Sequence, residues 1–169
     1  MSGHSKWSTI KHKKALTDKK KGQIFSKLAR LITLAAKKGA DTKSNPSLAQ
    51  AIENAKAMNM PNENIERAIK KVADKNQSQL EELSVEALGP GGVALKIKAI
   101  TDNRNRTMAE IKKILTENNS KLVQPGSLAW MFNQPLTFND VTTHEQVDKL
   151  FEALDDQDEV EDVSSNLQE

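Results

Sequence analysis

The sequence of 169 residues contains no cysteine and no tyrosine, and aromatic residues make up only 4% of it. The absence of cysteine excludes disulfide bonds, thiolate metal ligands and cysteine nucleophiles, and it fits a reducing cytoplasm. With few aromatics, the core must be aliphatic, which favours helices and a small sheet. Long apolar runs are also missing, so the sequence shows neither a membrane span nor a signal peptide. We therefore expect a soluble cytoplasmic protein with no membrane partner.

A catalytic constellation is also lacking. The acidic run at 155–159 lies at the end of a predicted helix, where charged runs usually face solvent. A metal site at His4 and His12 is not expected, because no third ligand lies near them in the sequence. We therefore predict a protein without enzymatic activity, cofactor or small-molecule substrate.

Charge is distributed very unevenly along the chain, although its formal net charge is only +2. Residues 1–75 contain 17 Lys and Arg against 6 Asp and Glu, whereas residues 76–169 contain 8 against 17. Such asymmetry points to a polyanionic partner on the basic side. The acidic end of the chain should repel phosphate.

Residues 1–22 show no hydrophobic period, and we predict a basic arm that is flexible or partly helical. A tail that only improves solubility is the alternative. The lysines of this arm that could neutralise phosphates are Lys6, Lys11, Lys13, Lys14, Lys19, Lys20 and Lys21.

Helical periodicity begins at Gln23 and continues in three segments to residue 74. The first ends at Lys37-Lys38-Gly39, where cations are followed by a glycine stop. Asn45-Pro46 opens the second, with asparagine as the cap and proline at the first helical position. Three short helices with single apolar stripes must pack on one another, so residues 23–74 are predicted to form a three-helix domain.

After a polar linker at 75–82, residues 83–169 are predicted to form an α+β domain. From Val93 the order of elements is β-α-β-β-α-β, preceded by one extra strand, which is a ferredoxin-like split βαβ arrangement. Gly89–Gly92 is predicted to be a hairpin turn rather than a phosphate loop, because it joins two strands. The predicted strands are 83–87, 93–97, 128–132, 136–138 and 160–163, with core packing as the default for Trp130-Met131-Phe132.

Several motifs, in the same order, make the chain resemble the YebC family, which includes the YebC/PmpR regulators and the mitochondrial TACO-type translational activators. The resemblance covers nearly the whole chain. The motifs are Gly3-His4-Ser5-Lys6-Trp7, Ile10-Lys11-His12-Lys13-Lys14, Asn59-Met60-Pro61, Asn64-Ile65-Glu66-Arg67-Ala68-Ile69, Gly89-Pro90-Gly91-Gly92-Val93, Thr101-Asp102-Asn103-Arg104-Asn105-Arg106-Thr107, Gly126-Ser127 and Trp130-Met131-Phe132.

The chain departs from the family pattern at one place. Family members normally carry a third domain after the Trp-Met-Phe strand, whereas here Asn133-Gln134-Pro135 runs directly into Leu136-Thr137-Phe138. The resemblance therefore implies a shortened form without the inserted domain. It also implies either a DNA-binding transcriptional regulator or a translation factor acting at the ribosome, in both cases without a metal or cofactor.

The basic arm is the first candidate site, with Arg30 of the following helix. Lysine is a point charge that reads base edges poorly, so we expect mainly contacts to the phosphate backbone and weak sequence specificity. Trp7 either stacks on an unpaired base or packs on the helical domain. His12 is placed to contact phosphate or to stack.

The loop that contains Arg104 and Arg106 is the second candidate site. It opens a helix, and helix N-termini attract anions. The alternative is a structural cap, with an arginine paired to a nearby acid. We therefore predict a monomeric, non-enzymatic regulator that binds DNA through its basic N-terminal region. A ribosome-associated translational activator that binds ribosomal or messenger RNA is the alternative.

Overall fold

The structure, a computed structural model, describes residues 17–74 and 79–168. These residues divide into two compact units, of which the first reaches to Glu81 and the second starts at Glu82. Ile100–Asn103 are grouped with the first unit. Most of the predicted arm, 1–16, and part of the predicted linker, 75–78, lie outside the described residues.

The first unit contains three α-helices, α1 (Asp18–Ala36), α2 (Pro46–Ala57) and α3 (Asn62–Lys70), and a 3-10 turn at Lys71–Ala73. Helix α1 begins at Asp18 rather than at the predicted Gln23. The apolar stripes of the three helices meet in one aliphatic core, whose buried members are Ile24, Leu28, Ile32, Ala35, Ala36, Leu48, Ala51, Ala55, Met60, Ile65 and Ala68.

Buried polar groups join the three helices at two points. The Asn45 side chain caps α2 by accepting the Leu48 N–H at 3.1 Å, and its amide donates to the carbonyl oxygens of Ala35 and Gly39 at 2.8 Å each. The Thr33 hydroxyl of α1 donates to the Ala68 carbonyl of α3 at 2.8 Å. Since buried polar groups are costly unless paired, these bonds fix how the helices pack.

The second unit contains a four-stranded sheet with the order β3-β1-β2-β4. Its strands are β1 (Glu81–Leu88), β2 (Ala94–Thr101), β3 (Lys121–Val123) and β4 (Val160–Ser165), and its helices are α4 (Arg104–Glu117) and α5 (Val141–Asp156). Strand β3 pairs with β1, and β4 pairs with β2, both antiparallel.

Helix α4 connects β2 to β3, and these two strands flank β1, which is a split βαβ connection. Alternate residues of β1 and β2 pack with both helices in one core, of which Leu83, Ile97, Ile111 and Phe151 are members. The predicted fold class, a helical domain followed by an α+β domain with a split βαβ unit, is confirmed.

Two individual strand predictions are wrong. Residues 128–132 form turns that lead into a 3-10 helix at Met131–Asn133, because their backbone bonds are local, such as Met131 N–H to Leu128 O at 2.9 Å. Trp130 is 61% exposed rather than part of the core. In the segment 136–138, only Leu136 makes a bridge, to Leu167. The third strand of the sheet is instead β3.

Gly89–Gly92 forms the predicted turn between β1 and β2. The Gly89 N–H donates to the Val93 carbonyl at 2.8 Å, and a 3-10 turn spans Pro90–Gly92. Gly91 and Gly92 both have positive φ, +69° and +81°, which glycine adopts without steric cost. The turn places β1 and β2 side by side at the centre of the sheet.

Candidate functional site

Three lysines of the predicted site lie in the first turn of α1. Thr17 caps this helix by accepting the Lys20 N–H on its hydroxyl oxygen at 3.3 Å, and Asp18 is the one acidic residue of the turn. Lys19 and Lys21 are exposed, and Lys20 is half-buried. The unpaired N–H groups of a helix give its N-terminus a partial positive charge, so cations there raise the local positive potential.

Lysines at the N-terminus of α1 are, by themselves, unfavourable for the stability of the helix. Lysine near the positive end of a helix costs a few tenths of a kcal/mol, whereas an acidic residue there would stabilise the helix. An anion bound at this end would offset the cost through the free N–H groups and the lysines together. The first turn of α1 is therefore suited to contact a phosphate group.

The other cations of α1 differ in access. Arg30 is half-buried and lies ten positions beyond Lys20, roughly 15 Å along the helix axis. Lys27 is only 2% exposed, so its charge faces the protein interior rather than solvent. The predicted site residues outside the described range are Lys6, Trp7, Lys11, His12, Lys13 and Lys14.

The two described parts of the chain differ in the sign of their net charge. Residues 17–74 contain twelve Lys and Arg against six Asp and Glu, and residues 79–168 contain eight against sixteen. A polyanion is therefore attracted to the helical unit and repelled by most of the sheet unit.

Arg106 makes a strong internal ion pair in the sheet unit. The Arg106 guanidinium donates to Glu159 Oε1 from Nη2 at 2.8 Å and from Nε at 3.2 Å. The Thr107 hydroxyl donates to Glu159 Oε2 at 2.8 Å. Glu159 is buried, and Thr107 is fully buried. This geometry supports the structural alternative for Arg106, because the carboxylate neutralises its charge and holds α4 against the start of β4.

Replacement of Glu159 by Gln is expected to lower the free energy of unfolding by about 1–2 kcal/mol, since it weakens two charge-assisted bonds next to a buried hydroxyl. Urea unfolding followed by circular dichroism measures the change. Glu117→Gln is the matched control, because Glu117 pairs with Lys113 at 3.9 Å on the exposed face of α4, and exposed pairs contribute little. Equal losses for the two variants would show that the Glu159 pair has no special role.

Arg104, in contrast, is exposed and has no hydrogen-bond or ion-pair partner among the residues that the structure describes. It lies at the first position of α4, so its guanidinium is available to an external anion. The two arginines that the sequence placed in one site therefore have different surroundings.

No local pattern in the sequence indicated the partner of Arg106. The acidic run at 155–159 was expected to face solvent, but Asp155 and Glu159 are 6% and 8% exposed. Glu159 lies more than fifty positions from Arg106, and a pair this distant in sequence leaves no local pattern. Only the order of the strands brings the two together.

Residues 17–74 and 79–168 contain neither a cluster of metal ligands nor a membrane-spanning helix. No group of three or more His, Cys, Asp or Glu side chains in these ranges is arranged to hold a metal ion. None of the helices described there is both long enough and apolar enough to cross a membrane.

Family models match both units of the chain. A model described as the TACO1/YebC protein N-terminal domain matches residues 5–75, and one described as the TACO1/YebC second and third domain matches residues 80–138. The gap between the two matches lies a few residues before the boundary of the two units at Glu81 and Glu82.

Curated relatives of similar sequence are named probable transcriptional regulatory proteins. The relative from Prosthecochloris aestuarii is 54% identical over 136 residues, which is 79% of this chain and 54% of the relative. The relative from Chloroherpeton thalassium is 46% identical over 156 residues, or 91% of this chain and 62% of the relative. The chain thus spans little more than half the length of these relatives.

A solved structure has the same fold over almost the whole chain. The crystal structure of a conserved hypothetical protein, Aq1575 from Aquifex aeolicus, aligns with a TM-score of 0.83 and 31% identity. The alignment covers 97% of each chain.

Proposed function

The chain belongs to the TACO1/YebC family, and from this premise we propose that it is a non-catalytic regulator of transcription that binds DNA through its basic N-terminal region. The lysines at the start of α1 carry the proposal. They extend a lysine-rich segment to the positive end of a capped helix, where local stability alone would favour acidic residues. Sites that break a rule of local stability are often functional.

The kind of side chain sets the mode of binding. Lysine neutralises phosphates but lacks the planar fork with which arginine reads guanine, so contacts to the DNA backbone dominate. Affinity then falls steeply with salt, and sequence specificity is weak. We propose that the protein acts in the cytoplasm as a monomer and without a cofactor.

The experiment compares wild type with the triple variant Lys19→Gln, Lys20→Gln, Lys21→Gln. Binding of a fluorescein-labelled duplex of about two helical turns is followed by anisotropy at several salt concentrations. Loss of three phosphate contacts should lower the salt slope by about 2–3 and the affinity by about 10- to 100-fold at low salt. Circular dichroism checks that the helices remain folded.

The matched control changes the net charge by the same amount in the acidic unit: Lys112→Gln, Lys113→Gln, Lys149→Gln. Its affinity should stay within about twofold of wild type. Equal loss in both triple variants would mean that only total charge matters, and no loss in the first would contradict the site. An RNA hairpin of matched length, measured in parallel, would overturn DNA as the target if it bound more tightly.

A further inference from the structure

Within 17–74 and 79–168, strand pairing covers only part of the sheet edge beside β3. Strand β3 pairs with β1 through Lys121–Val123, opposite Glu86–Leu88, although β1 begins at Glu81. From Glu81 to Val85, β1 therefore has no strand partner on this side within the described part of the chain. An uncovered strand edge presents N–H and C=O groups that can pair with another extended chain.

The chain leaves the β-ladder with β1 directly after β3. Pro125 has no N–H to donate to a ladder, and the Ser127 N–H donates to the Gln124 carbonyl at 3.1 Å in a turn where Gly126 has a φ of +84°. The carboxylate of the buried Glu86 accepts the Gly126 N–H and fixes this turn in place. Among the described residues, no strand occupies the place that a longer β3 would fill.

A groove of about 550 Å³ lies at this place. It is within the usual size range of ligand sites. Among the described residues that line it, Arg104 is the one that carries a charge, and its side chain has no partner within that part of the chain. The apolar part of the lining comes mainly from Val85, Met108, Leu122, Val123 and Pro125.

We propose that this groove binds an extended peptide segment of a partner protein. The segment adds a strand to the uncovered edge of β1, places apolar side chains against Met108 and Leu122, and sets a carboxylate on the guanidinium of Arg104. Strand addition to a free edge is a recurring mode of peptide recognition, in which the main chain supplies affinity and the pocket supplies specificity.

A peptide fits this surface better than a nucleic acid does. Residues 79–168 carry sixteen acidic against eight basic residues, so a strand with a phosphate on every nucleotide is repelled. A peptide with a single carboxylate meets Arg104, the one cation among the described residues that line the groove, and carries far less charge for the acidic residues to repel. The main-chain groups of a β-strand edge also match a peptide backbone, whereas nucleic acids have no comparable ladder of donors and acceptors.

The probe is a phage-displayed library of random octapeptides selected on the full chain. Enriched peptides should combine apolar residues with an acidic residue at a fixed spacing. Arg104→Glu should weaken the binding of these peptides at least about tenfold, which corresponds to about 1.4 kcal/mol of binding free energy. Arg104→Gln should weaken it less. Lys149→Glu, which makes the same charge change on α5 outside the groove, should change it less than about twofold.

Synthetic peptides test the strand pairing itself. N-methylation of a peptide amide that pairs with β1 removes its donor and should weaken binding at least about tenfold, whereas methylation of the next amide, which points away, should not. The proposal is overturned if no octapeptide binds below about 1 mM, or if binders ignore Arg104 and N-methylation. It is also overturned if a thymidine oligonucleotide shifts the amide signals of Ser84 and Val85 and the peptides do not.

Discussion

Replacement of Asn166 by Ala is expected to lower the free energy of unfolding by about 2–3 kcal/mol, because it leaves the buried Ala94 N–H without its acceptor and removes two bonds to part-buried carbonyl oxygens. The Asn166 side chain accepts the Ala94 N–H at 2.9 Å and donates to the carbonyl oxygens of Gln134 and Met131 at 3.1 and 3.3 Å. Asn166 is 5% exposed and Ala94 is fully buried, so water cannot easily replace the bond to the Ala94 N–H.

The position of Asn166 explains the size of this effect. Its own backbone pairs with Ala94 and with Leu136, whose N–H donates to the Asn166 carbonyl at 2.8 Å. One residue thus ties the end of the chain to the start of β2 and to the segment at 131–136. In this segment Asn133-Gln134-Pro135 runs directly into Leu136, whereas the family resemblance leads one to expect a further domain there.

Urea unfolding followed by circular dichroism measures the change, with Asn139→Ala as the matched control. Asn139 is an exposed residue of the following loop, and its replacement should alter the stability by less than about 0.5 kcal/mol. A loss below about 1 kcal/mol for Asn166→Ala would show that this junction does not hold the sheet unit together.

Gly91→Ala should be the second strongly destabilising change, by about 3 kcal/mol. Gly91 has a φ of +69°, and a Cβ there would lie 2.8 Å from Thr143 Cγ2 and 2.9 Å from Phe138 Cζ. The methyl group therefore adds overlap with the Phe138 ring to the cost of the left-handed backbone.

Gly92 provides a control within the same turn. Its φ is +81°, but nothing lies within 4 Å of a Cβ built on it. Gly92→Ala should therefore cost only the backbone term, about 1–2 kcal/mol. Thermal unfolding of both variants measures the difference. If the two melt together, Phe138 is not packed against the turn and the placement of the 136–138 segment is contradicted.

Much of the fold follows from local patterns in the sequence. Apolar residues at helical spacing predicted the three helices of the first unit, and the asparagine cap of α2 was visible in Asn45-Pro46. The alternation of Leu83, Val85 and Ala87 predicted β1, and all three are buried. Each of these elements is determined by neighbours within a few positions, which is why periodicity reveals them.

Other elements depend on distant contacts. Strand β3 is three residues long, too short for an alternating pattern, and it exists because Glu86–Leu88 lie beside it. The segment 128–138 has strand-like composition, but local turns and the bonds to Asn166 satisfy its backbone instead. Amino-acid composition cannot distinguish a strand from local turns here, because both arrangements provide hydrogen-bond partners for the backbone N–H and C=O groups.

The candidate site shows the same division. Charge counting located the basic region, but it could not separate the exposed Lys19 and Lys21 from Lys27, which is 2% exposed. Charge counting also could not distinguish the exposed Arg104 from Arg106, which pairs with Glu159, because that ion pair depends on the position of β4. Access and pairing are properties of the packed structure, and they decide which cations can meet a phosphate.

An NMR titration of the full isotope-labelled chain with duplex DNA at low salt tests the central claim most directly. If the DNA binds through the basic N-terminal region, the largest signal changes among the amides of residues 17–74 and 79–168 should fall in the first turn of α1, at Thr17–Lys21. Amide signals of α5 should change little. Raising the salt concentration should reverse the changes, since backbone contacts are salt-dependent. Changes concentrated in the sheet unit, or none at saturating DNA, would contradict DNA binding through the basic N-terminal region.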